Sequence, residues 1–136
     1  MSFQAEKQVV RDYYAVLDSV YGTDMLDAVG QYIATEYLWR GYHPFGEMTS
    51  LDDVIGKFWT PLKSSIIRLQ RREDVFFAGR NVTENNDGTW VVSMGHLMGL
   101  FDAHWLGIRP TRKRAFLRNA EFHRGEDGKI CETAFC

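Results

Sequence analysis

A chain of 136 residues with 45% hydrophobic and 25% charged residues has the composition of one globular domain, which excludes disordered and collagen-like chains. Sixteen Lys and Arg against 18 Asp and Glu give a formal net charge of −2, which argues against a dedicated nucleic-acid binder. The sequence contains neither the run of roughly 18 apolar residues that a membrane helix needs nor a signal-peptide pattern, so we expect no membrane partner and a cytoplasmic location. The aromatic content of 14% is high for so short a chain and predicts a pocket lined by rings.

The first half of the chain has the periodicity of helices. One apolar stripe predicts a helix that ends at Gly22, and its members are Val9, Val10, Tyr13, Tyr14, Leu17, Val20 and Tyr21. A shorter helix opens at Asp24 and continues through Leu26, Val29, Tyr32 and Ile33. After an irregular stretch, Ser50 and Asp53 form a capping box for a third helix, and Pro61 predicts a kink or a stop near residue 60.

The second half has the pattern of strands. Residues 74–82 are rich in Val and Phe, and Asn85-Asn86-Asp87-Gly88 predicts a hairpin turn. The next strand alternates, with one face formed by Trp90, Val92, Met94, His96, Met98 and Leu100, and the other by Val91, Ser93, Gly95, Leu97 and Gly99. Further strands are predicted near 113–124 and from Lys129 onward. Helices followed by an antiparallel sheet predict an α+β domain, a cone of curved sheet closed by helices with a small-molecule cavity at its wide end.

His96 is the only ionisable side chain on its strand face, where it lies between Met94 and Met98. A histidine in this position is either a buried, hydrogen-bonded structural group or a pocket residue for proton transfer near neutral pH.

Glu132 is the best sequence candidate for a catalytic acid or base. If Glu126-Asp127-Gly128 forms a three-residue loop, Gly125 pairs with Lys129 and the even-numbered residues of both strands share a face. Glu132 would then lie among apolar side chains, which would raise its pKa, or would form an ion pair with Arg118. A shifted register would instead bring Glu121 and Glu132 to one face, with His123 beside them.

Further candidates are rings and basic groups. His43 and His104 stand beside Trp39 and Trp105 in loops near the expected open end, where they either line a pocket or cap the core. The predicted substrate-binding residues are Trp39, His43, Trp59, Met94, Met98, Trp105, Arg118 and Phe122. The histidines lack metal-ligand spacing, and the chain lacks a phosphate loop or dinucleotide motif, so we expect neither metal nor cofactor. A basic run is either solvated or contacts an acidic substrate group, and it comprises Arg109, Arg112, Lys113 and Arg114.

The chain contains two cysteines. Cys131 and Cys136 are five residues apart in one predicted strand, so their Cα atoms would be about 16 Å apart. That separation is too long for a disulfide, and both are expected to be free thiols in a reducing compartment.

The block from Gly107 to Phe135 carries a family resemblance. Its matching features are Gly107, Pro110-Thr111 before a basic residue, Glu121-Phe122-His123-Arg124, Asp127-Gly128-Lys129-Ile130 and Glu132; upstream, Trp39, His43-Pro44 and Gly95-His96 also fit. In these features the chain resembles the SnoaL-like polyketide cyclases, often labelled ester cyclases, of the NTF2-like superfamily.

The resemblance implies an NTF2-like cone-shaped barrel with N-terminal helices packed on a curved antiparallel sheet. Characterised members close a ring by intramolecular aldol condensation without metal or cofactor, using an acidic side chain. Glu132 occupies the acidic position and His96 the histidine position. The chain departs from the family at Arg112, where glycine is usual, in a longer loop at 101–106, and at Cys136, where members usually continue to a further acidic residue.

These observations predict one SnoaL-like domain over residues 1–136 that acts on a small hydrophobic carbonyl compound. Glu132 would remove a C–H proton, and His96 would hydrogen-bond the developing enolate. The alternatives are a related isomerase, dehydratase or hydrolase, or a non-catalytic small-molecule-binding module. A third hypothesis is an interaction domain, expected as a homodimer through an outer sheet face with Val91, Leu97 and Phe101.

Overall fold

The computed structural model describes residues 3–81 and 88–136. Its helical elements, in chain order, are α1 (Gln4–Ser19), a 3₁₀ turn (Gly22–Asp24), α2 (Met25–Gly30), α3 (Leu51–Val54), a π-helical turn (Ile55–Trp59) and α4 (Thr60–Ser65). Its strands are β1 (Ile33–Gly41), β2 (Glu47–Met48), β3 (Ile66–Asn81), β4 (Gly88–Phe101), β5 (Arg114–Glu126) and β6 (Lys129–Phe135). The predicted turn residues Asn85, Asn86 and Asp87 lie outside the described residues.

The strands form one six-stranded sheet in the order β2-β1-β6-β5-β4-β3. β1 pairs with β6 in parallel, and the other neighbouring pairs are antiparallel. Helix α1 packs across β3, β4 and β6. The predicted α+β class is therefore confirmed, with helices laid over one face of a largely antiparallel sheet.

The helices follow most of their predicted signals, but α1 ends at Ser19 and α2 at Gly30, before the predicted Gly22 and Ile33. The Ser50 hydroxyl accepts a hydrogen bond from the Asp53 amide at 3.2 Å, as a capping residue should. Instead of stopping near residue 60, the helix passes through the π-helical turn and continues to Ser65. Pro61 lies in the first turn of α4, directly after the π-helical turn, so its missing N–H falls where the regular helical hydrogen bonding is already interrupted.

Strands β4 and β5 turn their odd-numbered side chains towards the helices. Val91, Ser93 and Leu97 of β4 are buried, whereas Met94 is 38% exposed. On β5, Glu121 is buried and Phe116 is 60% exposed. The odd-numbered side of β4 and β5 is therefore the inner face, and the even-numbered side is the outer face. The expectation that the even-numbered residues line the interior is wrong.

Glycines on β4 help to explain why its odd-numbered face is the inner one. A Cβ on Gly95 would lie 1.9 Å from the carbonyl oxygen of Arg72, because a bulge in β3 brings that backbone close to β4. Small residues on the inner face of β4 thus leave room for closely approaching backbone. Among residues 3–81 and 88–136, no helix packs against the more apolar, even-numbered face of β4.

The hairpin between β5 and β6 differs from the predicted three-residue loop. Asp127 (φ 53°) and Gly128 (φ 76°) form a two-residue turn, and Glu126 pairs with Lys129. A bulge then inserts Cys131, so that Arg124 pairs with Glu132. The extra residue brings even-numbered positions opposite even-numbered positions, as predicted. Their shared face is the outer one.

An aromatic cluster fills the interior beside α3 and α4. The ring centroid of Phe58 lies 5.0 Å from that of Trp39, 4.9 Å from that of Phe135 and 4.7 Å from that of Phe45. Trp59 packs against Phe58 at 4.9 Å. The surplus of aromatic residues thus builds a packed core rather than the walls of a large internal cavity. Both cysteines are free, Cys131 buried and Cys136 exposed.

Candidate functional site

Five polar side chains meet on the inner face beneath α1, and we call them the interior polar cluster. They are Tyr14 from α1, Arg71 from β3, Ser93 from β4, and Glu121 and His123 from β5. The four strand residues of the cluster occupy inner-face positions of the sheet, so their side chains point towards α1. Buried ionisable groups are expensive unless they are paired, which makes this cluster the strongest candidate site in the described part of the chain.

Arg71 is the centre of charge in this cluster. Its side chain is 8% exposed, its Nε donates to Asp18 Oδ2 at 2.8 Å, and its Nη1 donates to Glu121 Oε2. The guanidinium also lies 3.7 Å from the centroid of the Tyr14 ring. Burial alone would lower the pKa of Arg71, but the carboxylates of Glu121 and Asp18 and the Tyr14 hydroxyl outweigh it and raise this pKa. Arg71 is therefore a fixed cation.

His123 is held in the neutral form. Its Nε2 lies 2.8 Å from the Tyr14 hydroxyl, and its Nδ1 lies 2.8 Å from the Thr133 hydroxyl. Burial, and then the positive charge of Arg71, lower the pKa of His123 to about 3. A neutral imidazole donates through one nitrogen and accepts through the other, so His123 joins two hydroxyl groups into one hydrogen-bonded chain.

The hydroxyls extend this chain on both sides. The Tyr14 hydroxyl is 2.6 Å from Ser93 Oγ, and the Tyr37 hydroxyl donates to Thr133 at 2.7 Å. Burial, and then the charge of Glu121, raise the pKa of Tyr14 well above its ordinary value. Tyr14 therefore keeps its proton and can act as a hydrogen-bond donor.

Glu121 has one carboxylate oxygen engaged and one without a partner. Its Oε2 accepts from Arg71 and from Asn119 Nδ2, the latter at 3.2 Å. Its Oε1 is buried and has no hydrogen-bond partner among residues 3–81 and 88–136, and the nearest histidine nitrogen, His123 Nε2, is 3.9 Å away. Such an oxygen is costly in a folded interior, and it is a group that can accept a proton.

A cavity reaches the cluster at His123. Its volume is about 200 Å³, and it lies between α1 and the β5–β6 hairpin. Its inner wall is formed by Val9, Val10, Val91, His123 and Ile130, and its rim by Glu6, Thr89 and the hairpin residues 125–129. An apolar cavity of roughly 150 Å³ holds benzene, so this space admits a small ring-bearing molecule.

The two predicted catalytic residues lie elsewhere. Glu132 is on the outer face, where its carboxylate pairs with Arg40 Nη2 at 2.5 Å and with Arg124 Nε at 3.3 Å, so the predicted ion pair with Arg118 is not formed. His96 lies opposite Arg118 on the same face, with its Nδ1 3.5 Å from Asp74 Oδ2. Glu132 is opposite Arg124 on β5, six residues from Arg118, which is about 20 Å along the strand. The structure does not bring Glu132 and His96 together.

The predicted substrate-binding residues are divided among three places, and none lines the cavity at His123. Trp39, Trp59 and Trp105 are buried in the core. The outer face carries Met94, Met98, Arg118 and Phe122, and His43 is exposed in the loop after β1. The expectation of one ring-lined pocket is therefore wrong, because its members lie on opposite sides of the sheet or inside the packed core.

Sequence reasoning named Glu121 and His123 only as a shifted-register alternative, and it missed Arg71. Tyr14 was recognised only as part of an apolar helical stripe. The sequence does carry one signal for Tyr14: a tyrosine buried on an apolar stripe usually has a hydrogen-bond partner for its hydroxyl, which points to a polar group in the core. Nothing comparable in the sequence marks Arg71, which stands among other arginines on β3.

The His, Cys, Asp and Glu side chains of residues 3–81 and 88–136 form no group of three or more that could hold a metal ion. The helices of the same residues include none with the length and apolar character needed to cross a membrane.

Comparison with known proteins identifies the fold. Neither a family model nor a curated protein matches the sequence. Among solved structures, AclR from Streptomyces galilaeus, a candidate hydroxylase, matches with a TM-score of 0.76 at 16% identity, covering 99% of this chain and 76% of its own. A candidate SnoaL-like polyketide cyclase from Jannaschia sp. CCS1 matches with a TM-score of 0.73 at 16% identity, covering 98% and 84%.

An NTF2-like protein from Burkholderia thailandensis E264 matches with a TM-score of 0.67 at 20% identity, covering 96% of this chain and 88% of its own. Identities this low carry information about architecture alone. The resemblance noted in the sequence is confirmed at that level: the chain has the NTF2-like α+β fold, which it shares with proteins described as SnoaL-like polyketide cyclases.

Proposed function

We propose that this protein is a cofactor-free acid/base enzyme of the polyketide-cyclase type, acting on a small, mainly apolar carbonyl compound at the interior polar cluster. The observation that carries the proposal is the unpartnered Oε1 of Glu121, buried beside a neutral His123 and a protonated Tyr14. We assign to Glu121 the acid/base role that the sequence predicted for Glu132.

The proposed chemistry uses three groups with different tasks. Glu121 Oε1 removes a proton from the carbon next to the substrate carbonyl, which leaves an enolate. Tyr14 donates a hydrogen bond to the enolate oxygen. The fixed positive charge of Arg71 stabilises the negative charge, which moves from the Glu121 carboxylate to the enolate as the proton is transferred. In a ring closure, the enolate carbon attacks a second carbonyl of the same molecule, and the new alkoxide takes the proton back from Glu121. No redox partner is required.

The cavity at His123 is the proposed entry for substrate. Its wall of Val9, Val10, Val91 and Ile130 favours an apolar ring, and its rim is polar. Holding both reacting carbons of one molecule in one site supplies a proximity advantage that adds to proton transfer.

The test is α-proton exchange of phenylacetone in D₂O, followed by ¹H NMR. We expect the protein to accelerate the exchange and Glu121→Gln to lower the rate about 100-fold or more, since positioned proton transfer typically contributes about 10²–10⁴-fold. The matched control is Glu132→Gln, the same change in the outer-face carboxylate, which should keep the rate within about twofold. Equal losses in the two variants, or no acceleration by the wild type, would overturn the proposal.

A non-catalytic ligand-binding module is the second candidate. One observation favours it: both ring nitrogens of His123, the cluster member at the cavity wall, are already engaged with hydroxyl groups. In that case phenylacetone binds, measured by calorimetry, and Glu121→Gln leaves both its affinity and its exchange rate unchanged.

We also propose that a second copy of this chain covers an apolar patch on the outer face and leaves the rest of that face open. The residues expected to form that contact, Val91, Leu97 and Phe101, are buried, so that assignment is wrong. The outer face instead exposes Val75, Phe77, Met94 and Phe116, by 38% to 60%. Arg118 and Asp74 border this patch with opposite charges, so a copy related by a two-fold axis can pair each with the other.

A further inference from the structure

A second cavity, of about 650 Å³, opens on the outer face at the end of the sheet farthest from the β5–β6 hairpin. We call it the basic slot. It is lined by Arg68, Gln70, Met98, Gly99, Leu100, Arg112, Lys113 and Arg114. Four of these eight side chains are cationic and none is acidic. The slot is separate from the interior polar cluster, which lies on the other face.

The pairing of the strands fixes the shape of the slot. Leu100 of β4 lies opposite Arg114 of β5 on one side and Ile67 of β3 on the other. Met98, two residues along the same face, lies opposite Gln70. Neighbouring strands are about 4.8 Å apart, so the basic groups flank an apolar floor roughly 10 Å wide.

The backbone places two of the arginines. β3 shifts register between Ile67 and Gln70, and Arg68 within that bulge has φ 56°. Arg112, at the opposite wall, has φ 60°. Left-handed conformations are uncommon and costly in arginine, and such costs concentrate at functional positions.

Gly99 permits the close approach that forms this bulge. A Cβ at Gly99 would lie 2.6 Å from Ile66 Cγ2 and 2.7 Å from the Ile67 carbonyl oxygen. Any larger residue would push the bulged part of β3 away from β4. The wall that carries Arg68 therefore depends on a glycine in the floor.

The charges of the slot are left largely uncompensated by the protein. Arg112 lies 3.9 Å from Asp102, and that pair is well exposed. Within residues 3–81 and 88–136, Arg68, Lys113 and Arg114 make no ion pair. Like charges gathered around a concave surface raise the local concentration of anions.

We propose that the basic slot binds a small molecule carrying a phosphate group, with an apolar portion against Met98 and Leu100. A phosphate brings up to two negative charges and three acceptor oxygens, which match several guanidinium groups better than a single carboxylate does. The apolar floor of the slot would contact the apolar portion of the ligand. This site stands independently of the proposed enzyme activity.

The test is titration calorimetry with phenyl phosphate, benzoate and inorganic phosphate at low ionic strength. We expect phenyl phosphate to bind about tenfold more tightly than either of the others, because only it offers both the dianion and the ring. The double variant Arg68→Gln/Arg114→Gln should weaken phenyl phosphate binding about tenfold or more. The charge-matched control is Arg80→Gln/Arg109→Gln, two exposed arginines that do not line the slot, and it should bind within about twofold of wild type.

Three results would overturn this proposal. The first is no detectable binding of phenyl phosphate to the wild type. The second is an equal loss in both double variants, which would mean attraction to total positive charge rather than to the slot. The third is benzoate binding as tightly as phenyl phosphate, which would remove the preference for phosphate.

Discussion

His123 is enclosed so completely that its protonation is coupled to folding. Its side chain is 1% exposed, and both ring nitrogens contact hydroxyl groups. In the unfolded chain the imidazole takes up a proton near its ordinary pKa of 6.5, whereas in the folded protein this pKa is about 3. As the pH falls from about 6.5 to about 3, the unfolded chain binds the proton first, and this part of the stability is lost.

We therefore expect His123→Gln to flatten the acid side of the stability profile. In urea titrations between pH 7 and pH 4, the wild type should lose more free energy of unfolding than the variant, by an amount on the order of 1–3 kcal/mol. The exposed His43 provides the control, because His43→Gln should leave the wild-type profile unchanged. Parallel profiles for wild type and His123→Gln would show that His123 does not make this contribution.

At the scale of elements, the side chain of Lys63 in α4 caps the C-terminus of helix α1. Its ammonium group, on a side chain only 5% exposed, donates to the carbonyl oxygens of Leu17 and, at 2.9 Å, of Val20. These carbonyls are among those that a helix C-terminus leaves without partners. Tyr21 adds a ring 4.5 Å from the Lys63 nitrogen. One side chain thus joins the first and last helices and meets the C-terminal dipole of α1 with a positive charge.

Replacing this cap should destabilise the protein. We expect Lys63→Met to lower the free energy of unfolding by about 1–3 kcal/mol, because it leaves helix-end carbonyls without their charged donor.

Burial lowers the pKa of Lys63 to about 8, so wild-type stability should also rise between pH 8 and pH 10, where the unfolded chain still holds the proton.

Urea denaturation from pH 7 to pH 10 measures both effects. The control is Lys57→Met, in the exposed lysine of the π-helical turn, which should cost less than about 0.5 kcal/mol. If the two methionine variants are equally stable, the capping role of Lys63 is wrong.

At the scale of the whole molecule, we propose that the apolar patch on the outer face joins two copies of the chain. Exposed apolar side chains from β3, β4 and β5 lie together there, and a contiguous apolar patch on one sheet face is typical of an interface. We expect Phe77→Ser/Phe116→Ser to convert a dimer into a monomer, measured by light scattering coupled to size-exclusion chromatography.

The control for that experiment is Ile108→Ser, which removes a 53% exposed apolar side chain from a loop outside the patch. It should keep the mass of the wild type. A wild-type protein that is monomeric at 100 μM (about the concentration used for light scattering) would exclude the proposed dimer.

The fold was largely predictable because its long elements have clean periods. The stripe containing Tyr13 and Leu17 identified α1, and strict alternation identified β4. β1 was missed because its pairing with β6 shifts between Ile33 and Leu38, which breaks the alternation that marks a strand. Residues 32 and 33 were therefore assigned to the preceding helix, which ends at Gly30.

The site was less predictable because the more apolar face of β4 is its outer face. On β4 the face with Trp90, Met94 and Met98 is more hydrophobic than the face with Ser93 and Gly95. A choice made by hydrophobicity alone therefore selects the wrong interior. A further influence lies outside local sequence patterns: α1 packs on the face that carries the small residues.

The bulge at Cys131 affects how this chain is aligned with structures of the same fold. Ile130 pairs with Gly125 before the bulge and Glu132 pairs with Arg124 after it, so Cys131 is a surplus residue with no strand partner of its own. Deleting it would leave a regular hairpin in which every other side chain keeps its face and its partner. An alignment to a protein with an unbulged hairpin should therefore carry a one-residue gap at Cys131, and residues beyond it should be compared only after that gap is placed.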